Sequence, residues 1–184
     1  YCQFQIPYQQ VNLGVKAIFE SDYNEAIEWF DVAETEAEDD LKIEIQSYRK
    51  KIASIFLDSI QNYKNQMTIE EAEKLTRDAL ELFPEHKRGN QILAGIYLDK
   101  GILNTDIGNY SEAIQNYLHA IELYPPIEII VLEKFNQLIK AFMKDAYFAA
   151  KAGELHLVIK SLKSIIELNP ELANKLDSYI IKLE

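Results

Sequence analysis

The sequence predicts an all-α fold: an α-solenoid of about four helix–turn–helix repeats closed by a C-terminal capping helix. Three observations predict it. Four segments of equal length and similar layout recur along the 184 residues: SDYNEAIEWFDVAETEAED (21–39), MTIEEAEKLTRDALELFPE (67–85), GNYSEAIQNYLHAIELYPP (108–126) and GELHLVIKSLKSIIELNPE (153–171). Within each, apolar residues fall three and four apart, which is one face of an α-helix. The stretches between them carry helical stripes of their own. A lone helix cannot bury such a stripe, whereas stacked helix pairs bury a continuous core.

The elements follow in chain order as one domain, 1–184, with approximate repeats 7–40, 41–86, 87–126 and 127–170 and a closing helix 171–184. In each repeat the recurring segment is the second helix. Ala26, Ala72, Ala113 and Val158 align, then Phe30, Thr76, Tyr117 and Leu162, then Ala33, Ala79, Ala120 and Ile165. Small residues on this face let a neighbouring helix come close. Asp22, Thr68 and Asn109 each precede a glutamate three residues later (Glu25, Glu71, Glu112), the pattern of a capping box. Glu154 starts the fourth copy without that pattern. Pro84, Pro125 and Pro170 end the later copies, because proline lacks the N–H and clashes with the preceding turn.

The first helices carry the other stripes. One runs through Leu41, Ile45, Tyr48, Ile52, Ile55, Phe56, Ile60 and Tyr63, and another through Leu132, Phe135, Ile139, Phe142, Ala146 and Ala149. The stretch from Lys87 to Ile107 is helical too, with Gly95 and Gly101 as weak points or as points of close approach. These helices extend to roughly twenty residues or more, about 30 Å. Leu172, Leu176, Tyr179 or Ile180, and Leu183 give the closing helix its apolar face.

Leu13-Gly14 followed by Ala26, Phe30 and Ala33 resembles a tetratricopeptide repeat, and so does the series Tyr97, Gly101, Gly108, Tyr110, Ala113, Tyr117, Ala120 and Pro125. The resemblance covers about 7–170. It departs from the family in its period, 46, 41 and 45 residues between copies against about 34 in the family. Ser59-Ile60, Lys100-Gly101 and Asp145-Ala146 stand where the later copies would carry Leu-Gly. The resemblance implies a right-handed superhelix whose first helices line a concave face that holds a peptide or partner protein. It places Tyr8, Val11, Asn12, Val15, Leu57, Gln61, Lys64, Leu98, Ile102, Lys140, Lys144, Tyr147 and Lys151 on that face. Lys140 and Lys144 resemble the basic pair with which some members hold a partner's C-terminal carboxylate. Leu57, Gln61 and Asp99 stand in the earlier copies where basic residues or asparagine would complete such a clamp.

Charge narrows the partners. The net charge is −11, and residues 1–47 hold eleven acids against Lys16 and Lys42. An acidic chain is a poor match for a phosphate backbone, so nucleic acid is disfavoured. The run ETEAEDD (34–40) reads as a solvated helix end, with a docking surface for a basic partner as the sharper alternative. No apolar run approaches a membrane span. Cys2 is the only cysteine, so no internal disulfide forms. A soluble protein of a reducing compartment such as the cytoplasm fits; so does an exported domain, since the chain begins at Tyr1 rather than Met.

No catalytic constellation emerges. His86, His119 and His156 are scattered, with no second ligand at metal spacing, and there is no phosphate-binding glycine loop or nucleophile elbow. No metal, cofactor or enzymatic activity is expected. Trp29 is expected to pack against the following repeat. Lys140, Lys144, Tyr147 and Lys151 share one helix face by their spacing of four, three and four. The function expected is a protein–protein interaction scaffold or adaptor. The rival is a regulatory or sensory domain of a larger signalling or enzymatic protein. A homo-oligomer is allowed but not indicated.

Overall fold

The computed structural model describes residues 6–63 and 66–153, with His156, Ile159, Leu162, Lys163, Ile166 and Ile181 beyond them. The elements are α1 (Ile6–Phe19), α2 (Tyr23–Glu34), α3 (Asp39–Tyr63), α4 (Ile69–Leu82), α5 (Lys87–Asp106), α6 (Tyr110–Leu123), a 3-10 turn (Pro125–Ile127) and α7 (Glu128–Lys151). No strand occurs among the described residues. The long intervening helices are present: α3 has 25 residues, α5 has 20 and α7 has 24. The expected helix after Gly153 falls largely, and the closing helix 171–184 almost wholly, outside the described residues. Where the sequence reads as one domain, the contacts gather into two compact units, Tyr1–Gly89 and Asn90–Glu184.

In the first unit α1 and α2 form a hairpin with a close approach at Gly14. A Cβ there would lie 2.5 Å from the Phe30 ring, so only glycine lets α2 seat its phenylalanine. Phe30 is fully buried and stacks on Tyr48 of α3, with ring centroids 5.5 Å apart. Leu41, Ile45, Ile52, Leu57 and Ile60 carry the core along α3, and Thr76, Ala79 and Leu82 carry it along α4. The buried Thr76 hydroxyl donates to the Ala72 carbonyl at 2.6 Å, which removes the cost of burying it. Arg49 ties α3 to α2 by donating to Asp31 at 2.6 Å and Glu34 at 2.7 Å. Its Nε is buried without an acceptor among the described residues.

The second unit repeats the hairpin device. A Cβ on Gly101 of α5 would overlap the ring of Tyr117 on α6. Tyr117 is buried, lies 5.3 Å from Phe135, and shares a hydrogen bond of 3.2 Å with Thr105. Gly95 has nothing within 4 Å of its would-be Cβ, so the two glycines divide into one close approach and one weak point. Val131, Phe135, Leu138, Phe142 and Ala146 form the buried stripe of α7, and Ile127 of the preceding 3-10 turn and Leu162 join the same cluster. Leu132 was expected in that stripe and is exposed instead. It lies one residue, about 100° of helix rotation, from Val131, which takes the inward position.

The helix ends explain which capping boxes form. Ser21 (φ 63°) and Gly108 (φ 79°) adopt the left-handed conformation. Around them Ser21 N–H bonds Ile18 C=O and Asp22 N–H bonds Ala17 C=O, as Gly108 and Asn109 bond Thr105 and Asn104. This Schellman pattern consumes the N–H of the residue that caps the next helix. Asp22 still accepts from Glu25 N–H at 3.1 Å, but its own N–H is taken. Asn109 makes no side-chain cap bond. Thr68 completes the reciprocal box with Glu71, at 3.2 and 2.8 Å. Of the three boxes expected, one is complete. The proline stops hold at Pro84 and Pro125: Phe83 (φ −146°, ψ 86°) and Tyr124 (φ −148°, ψ 85°) leave the helix in nearly the same way. Pro170 lies outside the described residues.

Candidate partner-binding surface

The buried stripe of α7 fixes its rotation and so decides what the helix shows to solvent. With Phe135, Leu138, Phe142 and Ala146 turned inward, Lys140, Lys144, Tyr147 and Lys151 are all exposed. These four expected site residues are brought together on one side. The Lys151 ammonium sits 4.6 Å from the centroid of the Tyr147 ring. Such a cation–π contact contributes about 0.5–1 kcal/mol at an exposed site. Phe148 packs edge-on to Tyr147, with centroids 5.7 Å apart, and is itself 57 % exposed. Lys140 and Lys144 have no ion-pair partner among the described residues. In a chain of net charge −11, one helix face thus offers three ammonium groups beside two open rings.

Asp145 is the carboxylate nearest this face in sequence, and it is engaged. The Tyr110 hydroxyl donates to it at 2.5 Å, linking the start of α6 to α7. Burial first, then this hydrogen bond and the Asp145 charge, push the Tyr110 phenol well above its ordinary pKa.

The other expected residues are distributed differently. Tyr8 and Asn12 are exposed on α1, and Val15 is half-buried. Val11 is 3 % exposed and Leu57 is fully buried, so both are core side chains that a partner does not reach. Their apolar character follows from that packing role. Gln61 is exposed, but its Oε1 accepts from Arg88 at 2.6 Å, and Arg88 also pairs with Asp58. Leu98 and Ile102 are half-buried against the core of the second unit. Lys64 lies outside the described residues. Trp29 is half-buried, and its indole N–H donates to Glu25 at 3.2 Å.

The acidic run has a structural account. Ala37 is buried and Glu34 is paired with Arg49, while Asp39 and Asp40 occupy the first turn of α3, where the helix dipole favours negative charge. Sequence reasoning missed the exposed apolar residues at the start of α7, Ile129 (80 %) and Leu132 (53 %), and the open ring of Phe148. Nothing in the uniformly apolar run Ile129, Ile130, Val131 and Leu132 distinguishes the inward residue from its neighbours before the helices pack. No group of three or more His, Cys, Asp or Glu side chains able to hold a metal occurs among the described residues. No helix among them is long and apolar enough to cross a membrane. No protein-family profile matches the chain, and a search of curated proteins finds no significant relative.

Proposed function

We propose that this chain is a tetratricopeptide-like α-solenoid that acts as a protein–protein interaction scaffold, with the exposed face of α7 as a principal contact surface. The observation that carries the reading is the cluster of Lys140, Lys144, Tyr147, Phe148 and Lys151, exposed together with no carboxylate pairing Lys140 or Lys144 among the described residues. Exposed aromatic rings beside unpaired cations suit an acidic partner segment that can lay an apolar side chain against the rings. The paired devices Gly14–Phe30 and Gly101–Tyr117 support the repeat reading, because each seats an aromatic of one helix over a glycine of the helix before it.

The experiment is comparative affinity capture. The wild-type protein and the Lys140→Ala/Lys144→Ala variant are immobilised, and retained proteins are quantified by mass spectrometry. The reading expects a protein enriched by the wild type and depleted by the double variant, with thermal stability nearly unchanged because both lysines are solvated. Equal retention by the two proteins would remove α7 from the account.

A further inference from the structure

A surface of opposite chemistry lies on the first unit. A cleft of about 400 Å³ is lined by three helices, with Ile27 from α2, Phe56 from α3, and Leu75 and Leu82 from α4 supplying apolar walls. Its size is at the small end of the pockets that take ligands, roughly 300–1,000 Å³. Asp31, Asp78 and Glu81 also line it, against one cation, Arg49. That cation is already spent, since Arg49 bonds both Asp31 and Glu34. Asp78 and Glu81, three residues apart on α4, have no ion-pair partner among the described residues, and Asp78 is half-buried.

The cleft does not end there. A second one, about 460 Å³, shares Asn24 and Phe56 with it and adds Glu20, Asp22 and Tyr23. Tyr23 meets Phe56 edge-on where the two adjoin, with ring centroids 5.8 Å apart. Together they make a track with an aromatic midpoint. In the second arm Asp22 caps α2 through Glu25 N–H and Glu20 pairs with Lys16 at 3.6 Å, so the open carboxylates of the track are Asp78 and Glu81. A small cation would meet Asp78 and Glu81 but leave Ile27, Phe56 and Leu75 uncovered, whereas an amphipathic peptide answers both the charge and the apolar walls.

We propose that this track is a docking site for a basic, amphipathic peptide segment of a partner protein, which sets apolar side chains against Phe56 and Leu75 and a lysine or arginine against Asp78 and Glu81. The site is separate from the α7 face and selects the opposite charge, so each can fail without the other.

The test uses fluorescence anisotropy on the full chain with three labelled synthetic peptides: an amphipathic leucine–lysine helix, the same pattern with glutamate for lysine, and the same pattern with serine for leucine. The leucine–lysine peptide is expected to bind. The Asp78→Asn/Glu81→Gln variant is expected to weaken it about tenfold or more, the loss of charge-assisted contacts. Glu36→Gln/Glu38→Gln removes two exposed charges elsewhere on the same unit and is expected to change affinity less than about twofold, the remainder of screened long-range attraction. The serine and glutamate peptides are expected to bind about tenfold more weakly or not at all. Absence of binding by the leucine–lysine peptide, equal binding by the serine peptide, or equal losses in the two double variants would each overturn the proposal, the last by reducing it to bulk charge. Should the Asp78→Asn/Glu81→Gln variant fail to fold, Glu81→Gln alone, at an exposed position, carries the same comparison, and unchanged affinity there would also overturn it.

Discussion

Replacing Gly95 and Gly101 separately by alanine should leave two proteins of clearly different stability, although both glycines sit on α5 in the same unit. Helix propensity alone favours alanine at either site by roughly 1 kcal/mol. At Gly95 nothing lies within 4 Å of the new methyl group, so that gain is realised. At Gly101 the methyl would stand 2.5 Å from Tyr117 Cδ1, about 1 Å inside ordinary contact. The ring has little room to retreat, being 1 % exposed, backed by Phe135 and bonded through its hydroxyl to Thr105. Overpacking of this kind costs about 1–3 kcal/mol. Gly95→Ala should therefore be the more stable variant by roughly 1–3 kcal/mol, the propensity term cancelling in the comparison. Urea unfolding followed by circular dichroism reads both variants, and the thermal midpoints should separate by about 2–4 °C for each kcal/mol. If Gly101→Ala proves as stable as Gly95→Ala, the close approach of α5 to Tyr117 is wrong.

Three further outcomes are expected. Ser21 holds φ 63° at a turn where the later copy has Gly108, so Ser21→Gly should stabilise the first unit by up to about 1 kcal/mol, and Gly108→Ala should destabilise the second by about 1–2 kcal/mol, both read by urea unfolding. The raised pKa of the Tyr110 phenol means that its neutral form is favoured by folding; its stabilisation is complete below the ordinary tyrosine range near 10 and is lost as pH climbs through the higher folded value. Tyr110→Phe should accordingly flatten the fall in thermal midpoint above pH ~10, and an unchanged alkaline profile would count against the Tyr110–Asp145 bond. His86 precedes α5, with Nδ1 accepting from Gly89 N–H at 3.4 Å and Nε2 placed 3.3 Å from the Ser54 hydroxyl. His86→Ala should cost about 0.5–2 kcal/mol, as other lost helix caps do, and His86→Asn should recover part of it in the same unfolding assay.

Much of the fold was legible because it rests on local rules. The spacing of Ala113, Tyr117 and Ala120, the stops at Pro84 and Pro125, and the length of α3 and α7 are properties of single helices, and the structure has them. The capping boxes were only partly legible, since the N–H groups of Asp22 and Asn109 are claimed by the turn before them, which a pattern of Asp or Asn followed by Glu does not reveal. Within the candidate surface, the α7 lysines could be grouped from spacing alone. Val11 and Leu57 could not be told from surface residues, because burial depends on which neighbouring helix covers each position. The acidic track at Phe56 escaped sequence reading for the same reason: Asp31, Phe56 and Asp78 are distant in sequence and meet only when α2, α3 and α4 pack.

The most direct test of the proposed function is site-specific photo-crosslinking. A benzophenone amino acid is placed at Tyr147 on the α7 face and, in a second protein, at Ile43, an exposed position on α3 that lines neither cleft. The partner retained in a Lys140- and Lys144-dependent way is expected to crosslink from position 147 and not from position 43. Crosslinking from position 43 alone, or equally from both, would contradict the assignment of the α7 face as the contact surface.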